Sequence, residues 1–522
     1  LIKRTTFGGV QALRLVAGPK AIELSEALKL ELPLMRTNVL ALPLVLMLLV
    51  HSDLRPASAL TASSAAASSA AALGTATLAS GAVGEALAVG EALAVGEALA
   101  DGQDTGNGAP PNDASKWTSE NMESLVAIYR HLHQHPELSF EEEQTAKYIG
   151  MQLEKIGAEV TLNFGGFGVV GVLKNGEGPT VMLRTDLDGL PVAEQTKLAY
   201  SSKVKVEQPD GSQVSVMHAC GHDVHMTNLV GTAMYLAANP GQWKGTIVLI
   251  GQPAEERGAG ASAMLKEGLF EKFPRPDFAL ALHVDSHLAA GHVSVRPGFT
   301  LANVDSVDVT MFGKGGHGAE PHTAIDPIVQ AAELVMSLQT LVSREVKPTE
   351  PAVVTVGAIR GGTKHNIIGD SCHLQITVRS YSADVRKLLL EGIKRKAKAV
   401  ADGARGGEPK VEISEGTPAL YNDDQLAARM RVVFEKTLGK QYVEESEQVM
   451  GGEDFSQYGR AGVPILMYRL GTVEENRLER FTQFGQSAPG LHSALYYPDF
   501  ELSISAGIQT MSAGVIELLP KE

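Results

Sequence analysis

Cysteine is scarce in this chain: Cys220 and Cys372 are the only two in 522 residues. Two cysteines so far apart make no disulfide framework, and no Cys-x-x-Cys pair is present, so a disulfide-stapled fold and a dithiol redox centre are excluded. Basic clusters are missing too. With 60 acidic against 45 basic residues the formal charge is -15, and no Lys/Arg run interleaved with aromatics offers a footprint for a phosphate backbone. Nucleic acid is therefore not an expected partner. The apolar run from Val39 to Val50 falls short of the roughly 20 residues that span a bilayer. What remains is a soluble, globular composition, in a chain longer than one core usually organises, so two domains plus extra segments are expected.

The first 34 residues carry no sustained pattern, and residues 1–34 read as an upstream extension with Met35 as the better start. From there MRTNVLALPLVLMLLVHSDLRPASALTAS combines a basic residue, the apolar run and an Ala57-Ser58-Ala59 small-x-small site. These are the parts of a secretory signal over residues 35–59, predicting an exported protein, periplasmic or secreted, with no membrane span after cleavage. An uncleaved anchor is the alternative. Residues 60–116 are rich in Ala, Ser and Gly and repeat VGEALA from Val83 to Ala100, offering too little apolar surface for a core. They read as a linker, with the folded part beginning near Trp117.

From that point helical spacing over Ser119 to Tyr129 and Glu141 to Ile156 precedes short apolar runs: VTLNF, GVVGVL, TVMLRTDLDG, GTIVLIGQP and FALALHV. They alternate with helix-like segments such as Thr227 to Ala238 and Ala261 to Glu267, the rhythm of an α/β sheet covered by helices. Functional loops in such sheets lie at the carboxyl ends of strands, where Asp186, Asp188, Glu255, Glu256 and His283 are expected. After about residue 300 the order becomes β-α-β-β-α-β, with helices at Ile325 to Val342 and Ala383 to Ala401, as in a small ferredoxin-like α+β domain. The expected organisation is a catalytic domain in two parts, residues 117–300 and 416–522, with residues 301–415 inserted between them.

HACGHDVHM, residues 218 to 226, raises the question of what Cys220 does. A nucleophile needs a base and an orienting partner, which His218 or His222 could supply, but the motif lacks a strand-to-helix nucleophile elbow. A metal ligand is the better reading, because zinc-type ions take thiolate, imidazole and carboxylate together. His222, the Glu255-Glu256 pair, His283 and His492 are the other candidates. Adjacent glutamates on a turn diverge, so one can bind metal while its neighbour handles a proton. His131, His133 and His135 alternate in RHLHQHPELSFEE, but at a helix end i and i+2 face apart, which favours structural or surface roles. His317, among the glycines of GKGGHGAEPH, stands where backbone and imidazole can approach a ligand, or in a simple tight turn. Arg379, on a strand after Asn366, could clamp a carboxylate with its planar fork or simply face solvent.

Together RHLHQHPELSFEE, RTDLDGLP, HACGHDVHM, GQPAEE, LHV, GKGGHGAEPHTAIDP, GGEDFS and LHS resemble, in order and spacing, the M20 metallopeptidase family. The branch they resemble contains hippurate hydrolases, N-acyl-amino-acid amidohydrolases and auxin-conjugate hydrolases. The resemblance implies a two-domain α/β fold with an inserted dimerisation domain, and two divalent metal ions per subunit, zinc or manganese, with cobalt or nickel also compatible. It implies that Cys220 bridges, that His222 and His283 hold one metal, and that Glu256 and His492 hold the other. Glu255 would be the general base acting on the attacking water, and Asp188 would orient the centre. In the implied homodimer His317 would reach the partner's site to stabilise the oxyanion. Asn366, Arg379 and the Gly451-Gly452 loop would bind the substrate carboxylate. Gly369, where a proline is common, and Gly189, where alanine is, depart from the pattern. The implied activity is hydrolysis of an N-acyl amino acid or short peptide. A dipeptidase or carboxypeptidase is the near alternative, and a non-catalytic metal-dependent binding protein the distant one.

Overall fold

The computed structural model describes residues 2–7, 10–15, 113–208 and 210–521. The expected signal segment and most of the expected linker lie outside these residues. At the start, Ile2–Phe7 pairs antiparallel with Val10–Leu15, so the upstream extension is not patternless. Two strand-length runs separated by Gly8-Gly9 are a hairpin signal that apolar periodicity alone passes over.

The next described element, helix α1 (Asp113–Gln134), begins four residues before Trp117 and therefore takes the end of the expected linker. It runs through His131 and His133 and stops ahead of Pro136, whose ring cannot continue a helix. Helix α2 (Glu143–Lys155) ends before Gly157, which takes the left-handed φ of 86°. Strands β1 (Glu159–Leu162), β2 (Val169–Asn175) and β3 (Thr180–Asp186) follow. Helix α3 (His222–Ala238) starts five residues earlier than its apolar spacing suggested. Gly221, at φ 74°, turns the chain and Asp223 lies in the positive first turn, so the helix opens inside the HACGHDVHM motif. Then come β4 (Gly245–Gln252), β5 (Phe278–Ala289) and β6 (Val293–Ser294). β7 (Asn303–Phe312), α4 (Pro327–Thr340), β8 (Ala352–Gly361), β9 (Ser371–Ser380), α5 (Ala383–Ala404) and β10 (Lys410–Glu415) follow. The chain closes with α6 (Asp424–Leu438), β11 (Val443–Glu444), β12 (Ile465–Val473) and α7 (Phe500–Leu518).

Eight strands form a mixed sheet in the order β11-β6-β12-β5-β3-β4-β2-β1. Its centre, β12-β5-β3-β4, is parallel. Side chains alternate across it: Val181, Leu183, Ile247 and Leu249 pack on α1, α3 and α7, whereas Met182, Val248 and Ile250 face Met264, Phe455 and Tyr458. Burial on both faces explains the near-continuous apolar strands. β7, β8, β9 and β10 make a separate antiparallel sheet, order β8-β9-β7-β10. Val307, Val309, Leu374, Ile376 and Val378 point from it into a second core under α4 and α5. The molecule is an α/β protein with a large mixed sheet.

His283 departs from its expected position. It stands inside the twelve-residue β5 rather than at its end. β3 pairs with β5 only as far as Ala281, while β5 continues against β12. His283 therefore rises just past the rim of β3, level in function with a strand end although the strand continues.

Candidate metal centre

Five donors, with Glu255 beside them, converge at the carboxyl edge of the parallel strands. Cys220 precedes α3, His222 is its first residue, Glu255 and Glu256 open a short turn after β4, His283 lies on β5, and His492 is on the loop before α7. Cys220 Sγ is 3.3 Å from His492 Nε2 and 3.7 Å from His283 Nε2. Glu256 Oε1 is 3.5 Å from His492 Nε2 and 3.8 Å from His222 Nε2. Two ligands on one tetrahedral zinc stand roughly 3.3–3.6 Å apart. Two triples share the sulfur, Cys220-His222-His283 and Cys220-Glu256-His492, while His222-Glu255-Glu256 is an overlapping group without it.

Local hydrogen bonding prepares these atoms. His222 Nδ1 donates to the Asp188 carbonyl at 2.8 Å and His283 Nδ1 donates to the Val284 carbonyl at 2.8 Å. Each imidazole thus turns Nε2 inward, the arrangement that neighbours of metal-bound histidines enforce. His222 Nε2 and Glu256 Oε1 are buried with no hydrogen-bond partner. Buried orphans of this kind cost free energy unless something binds them, so the residues fit a pair of divalent cations. Burial, with the nearby carboxylates of Glu256 and Glu255, pushes the Cys220 thiol up, which suits a ligand that a cation ionises better than a free nucleophile. Burial beside Arg469 holds His283 neutral.

The Glu255-Glu256 turn is fixed by Asp188, whose carboxylate accepts the amides of Glu256 at 3.0 Å and Glu255 at 3.3 Å and the hydroxyl of Ser139 at 2.6 Å. Burial and the charges of Glu453 and Glu256 raise Glu255 well above the carboxylate range, and burial pushes Glu256 up to about 7.

Beneath the donors lies a cluster centred on Arg184, a residue that the sequence did not single out. Arg184 is fully buried and reaches Asp186 at 2.8 Å, Glu453 at 2.8 Å, Asp454 at 3.1 Å and the Gln252 side-chain oxygen Oε1 at 3.1 Å. Asp186 also accepts from His225 Nδ1 at 2.7 Å, while His225 Nε2 accepts the Val284 amide at 2.9 Å. Both nitrogens of His225 are thereby used, and Asp186, His222 and His225 form a further buried group that could hold an ion beside the two sulfur-sharing triples. The missed signal was an arginine in the apolar strand TVMLRTD, since a charge buried there must find opposite charge elsewhere.

The substrate candidates divide into two pairs. His317 is exposed on Gly316–His317, which pairs with Ile367–Ile368, and Gly318 donates to the Asn366 carbonyl at 2.9 Å. Arg379, on β9, donates to the Met450 carbonyl at 2.9 Å. Nearby Gly452 has Val304 Cγ2 2.4 Å from where a Cβ would stand, so only glycine fits. Neither pair is hydrogen-bonded or ion-paired to the five donors among the described residues.

The three histidines of RHLHQHPELSFEE also divide. His133 is buried, with Nδ1 2.7 Å from Asp223 and Nε2 3.3 Å from Glu194. His131 and His135 lie near Tyr148 on a surface cavity of about 490 Å³. Burial opposes the charge on His133, but the two carboxylates raise it to about 9. A folded value above the unfolded one gives stability that is complete below about pH 6.5 and is lost as pH rises through about 9, on the order of 3 kcal/mol. Chemical denaturation at pH 6 and pH 9.5 should show this loss in the wild type and a much flatter response in His133→Gln. Equal slopes in both proteins would show that His133 is not the titrating group.

The sequence pattern of peptidase family M20/M25/M40 matches residues 182–481, more than half of the chain. An N-acetyl-L-cysteine deacetylase of Bacillus subtilis is 38% identical over 340 residues, which is 64% of this chain and 77% of the relative. A hippurate hydrolase of Campylobacter jejuni is 38% identical over 330 residues, 63% of this chain and 83% of the relative. Among solved structures, a dinuclear metal binding peptidase of the M20 family from Bacillus subtilis superposes with a TM-score of 0.64 at 29% identity. That match covers 77% of this chain and all of the neighbour.

Proposed function

This chain belongs to peptidase family M20/M25/M40 and is a hydrolase, and from that premise we propose that its substrates are N-acyl amino acids, split at the amide into a carboxylate and a free amino acid. The observation that carries the reading is the pair of donor triples sharing Cys220, with Glu255 beside them and outside both. Two divalent cations held by Cys220, His222, His283, Glu256 and His492 would supply Lewis acidity and lower the proton affinity of water; zinc and manganese suit the donor set best. Glu255, raised by burial and neighbouring charge, is suited to take the proton of the attacking water and return it to the leaving amine near neutral pH. Asp188 holds the amides that aim it. The relatives' names, a deacetylase of N-acetyl-L-cysteine and a hippurate hydrolase, both describe an acyl group on an amino-acid nitrogen. Arg379, Asn366 and Gly452 are assigned to the substrate carboxylate, which a guanidinium fork matches in shape and charge. The segment Met35 to Ala59 supports export of the enzyme.

Residues 301–415 are assigned to dimerisation. β8 is an edge strand whose Ile359 is 50% exposed, and Val329 and Met336 on α4 are 62% and 71% exposed. An unpaired edge beside exposed apolar side chains suits a second copy related by a two-fold axis. His317, exposed and remote in contacts from its own centre, would then serve the partner's oxyanion. Sedimentation should show a dimer for the wild type and a monomer for an Ile359→Lys/Met336→Lys protein; a wild-type monomer removes the assignment.

The activity test is release of amino acid from N-acetyl, N-benzoyl and indole-acetyl amino acids and from dipeptides, by protein loaded with zinc or manganese. Release from acyl amino acids that EDTA abolishes is expected, and Glu255→Ala should keep its metal while kcat falls by about 10²–10⁴-fold. Preference for dipeptides would reassign the substrate. Full turnover by the metal-loaded variant would remove Glu255 as base.

A further inference from the structure

The turn that carries Glu255 and Glu256 begins at Ala254, an alanine in the left-handed region with φ 50° and ψ 43°. Such a conformation costs a side-chain-bearing residue about 1 kcal/mol or more and persists only where its surroundings hold it. Asp188 accounts for the amides of Glu255 and Glu256, but not for that of Ala254. Ala254 N–H donates to Glu142 Oε1 at 2.7 Å, and the same oxygen accepts the amide of Phe140 at 2.9 Å. Phe140 is itself left-handed, with φ 65°. Glu142 is fully buried, and its other oxygen, Oε2, has no hydrogen-bond partner. Two buried carboxylates, 46 residues apart in sequence, therefore grip three consecutive amides, Ala254 to Glu256.

We infer that Glu142 is a positioning residue for the hydrolytic centre: one oxygen locks Ala254 into its left-handed conformation and so fixes the directions in which Glu255 and Glu256 leave the chain. This inference rests on the proposed roles of those two glutamates. Ser139, three residues before Glu142, bonds Asp188 at 2.6 Å, so the Ser139–Glu142 loop supports both carboxylate grips. The lock acts through geometry. Turning the backbone at Ala254 would move the proton-accepting carboxylate and the ligand oxygen together, and a displacement of about 1 Å at a reacting group can cost 10²-fold in rate.

Glu142 could instead act as a proton carrier, since burial pushes its carboxyl up to about 7, and the variants separate the two roles. Glu142→Gln keeps an oxygen acceptor and loses the titration, Glu142→Ala loses both, and Ala254→Gly allows the left-handed turn without strain. If Glu142 is a lock, Glu142→Ala should lower kcat about a hundredfold with little change in KM and weaken zinc affinity about 10–100-fold. Glu142→Gln should keep most of both properties, and Glu142→Ala/Ala254→Gly should regain at least tenfold in each. A Glu142→Gln protein as impaired as Glu142→Ala, or no recovery from adding Ala254→Gly, overturns the inference. So does a Glu142→Ala protein with wild-type kcat and zinc affinity. Zinc affinity, read by competition with a chromogenic chelator, tests the lock even if the wild type hydrolyses none of the amides tried. In that case the proposed function fails while the positioning role is judged on binding alone. Circular dichroism and thermal melts of each variant confirm that folded proteins are being compared, with Glu142→Gln as the form least disturbed in packing.

Discussion

The centre depends on one electrostatic constraint: carboxyl groups packed away from water must each meet a cation, a donor or a proton. Asp186, Asp188, Glu255, Glu453 and Asp454 are buried, and Glu256 nearly so. Arg184 supplies one full positive charge to the group. The penalty for an unpaired buried ion is several kcal/mol even after relaxation, so these acids cannot all stay ionised on the strength of one guanidinium. Burial accordingly pushes Asp454 up to about 7 and Glu255 well above its ordinary range. Two divalent cations at the shared-sulfur triples would relieve the same excess, which is why the donor set and the charge balance point to the same occupant. Arg184 meanwhile ties β3 to the Glu453-Asp454 loop that precedes β12, so the cation that balances the acids also joins distant parts of the central unit.

Backbone strain is concentrated where this charge is handled. Six described residues other than glycine have positive φ, and Phe140, Ala254 and His492 among them border the donors. His492 is held in its turn by its amide on the Ala219 carbonyl, one residue from Cys220, and this brings its ring to the sulfur. A site made from the first residue of α3, one strand, a short turn and the segments around Cys220 and His492 has little regular structure to aim its side chains. Left-handed residues held by hydrogen bonds supply the missing directions.

The sequence was legible where function lies in local motifs. The alternation of apolar strands and helices placed the α/β sheet, and the motifs HACGHDVHM, GQPAEE, LHV and LHS held the five donors that the fold does gather. Reading failed where partners are remote. Arg184 meets Glu453 and Asp454 across 269 and 270 residues, and Glu142 meets Ala254 across 112. No periodicity links such pairs, because they are brought together by strand order and loop conformation. The start of α3 at His222 was missed because a left-handed Gly221 and a polar first turn, not an apolar stripe, begin it. Helix geometry gave His133, with His131 and His135, a structural or surface role, but its two carboxylate partners, Asp223 and Glu194, lie in segments that only the fold joins to α1.

The division of the substrate candidates has a consequence for how turnover is organised. The five donors and Glu255 lie on the large sheet or on the helix, turn and loops at its edge, whereas His317, Asn366 and Arg379 belong to the small sheet or its loops. Arg379 touches the Met450 carbonyl beside Gly451, where the Val304 side chain leaves no room for a Cβ at Gly452. Contact between the small sheet and the 450–452 loop is therefore backbone against side chain at close range. A substrate carboxylate bound by Arg379 would compete directly with the Met450 carbonyl for the guanidinium. A carboxylate is an ionised acceptor that a guanidinium can meet with two parallel hydrogen bonds, whereas the carbonyl is neutral and takes one, so that exchange favours the bound acid. Binding of an acyl amino acid would in this way draw on a hydrogen bond that joins the small sheet to the loop carrying Glu453 and Asp454, linking recognition of the free carboxylate to the acids beneath the donors.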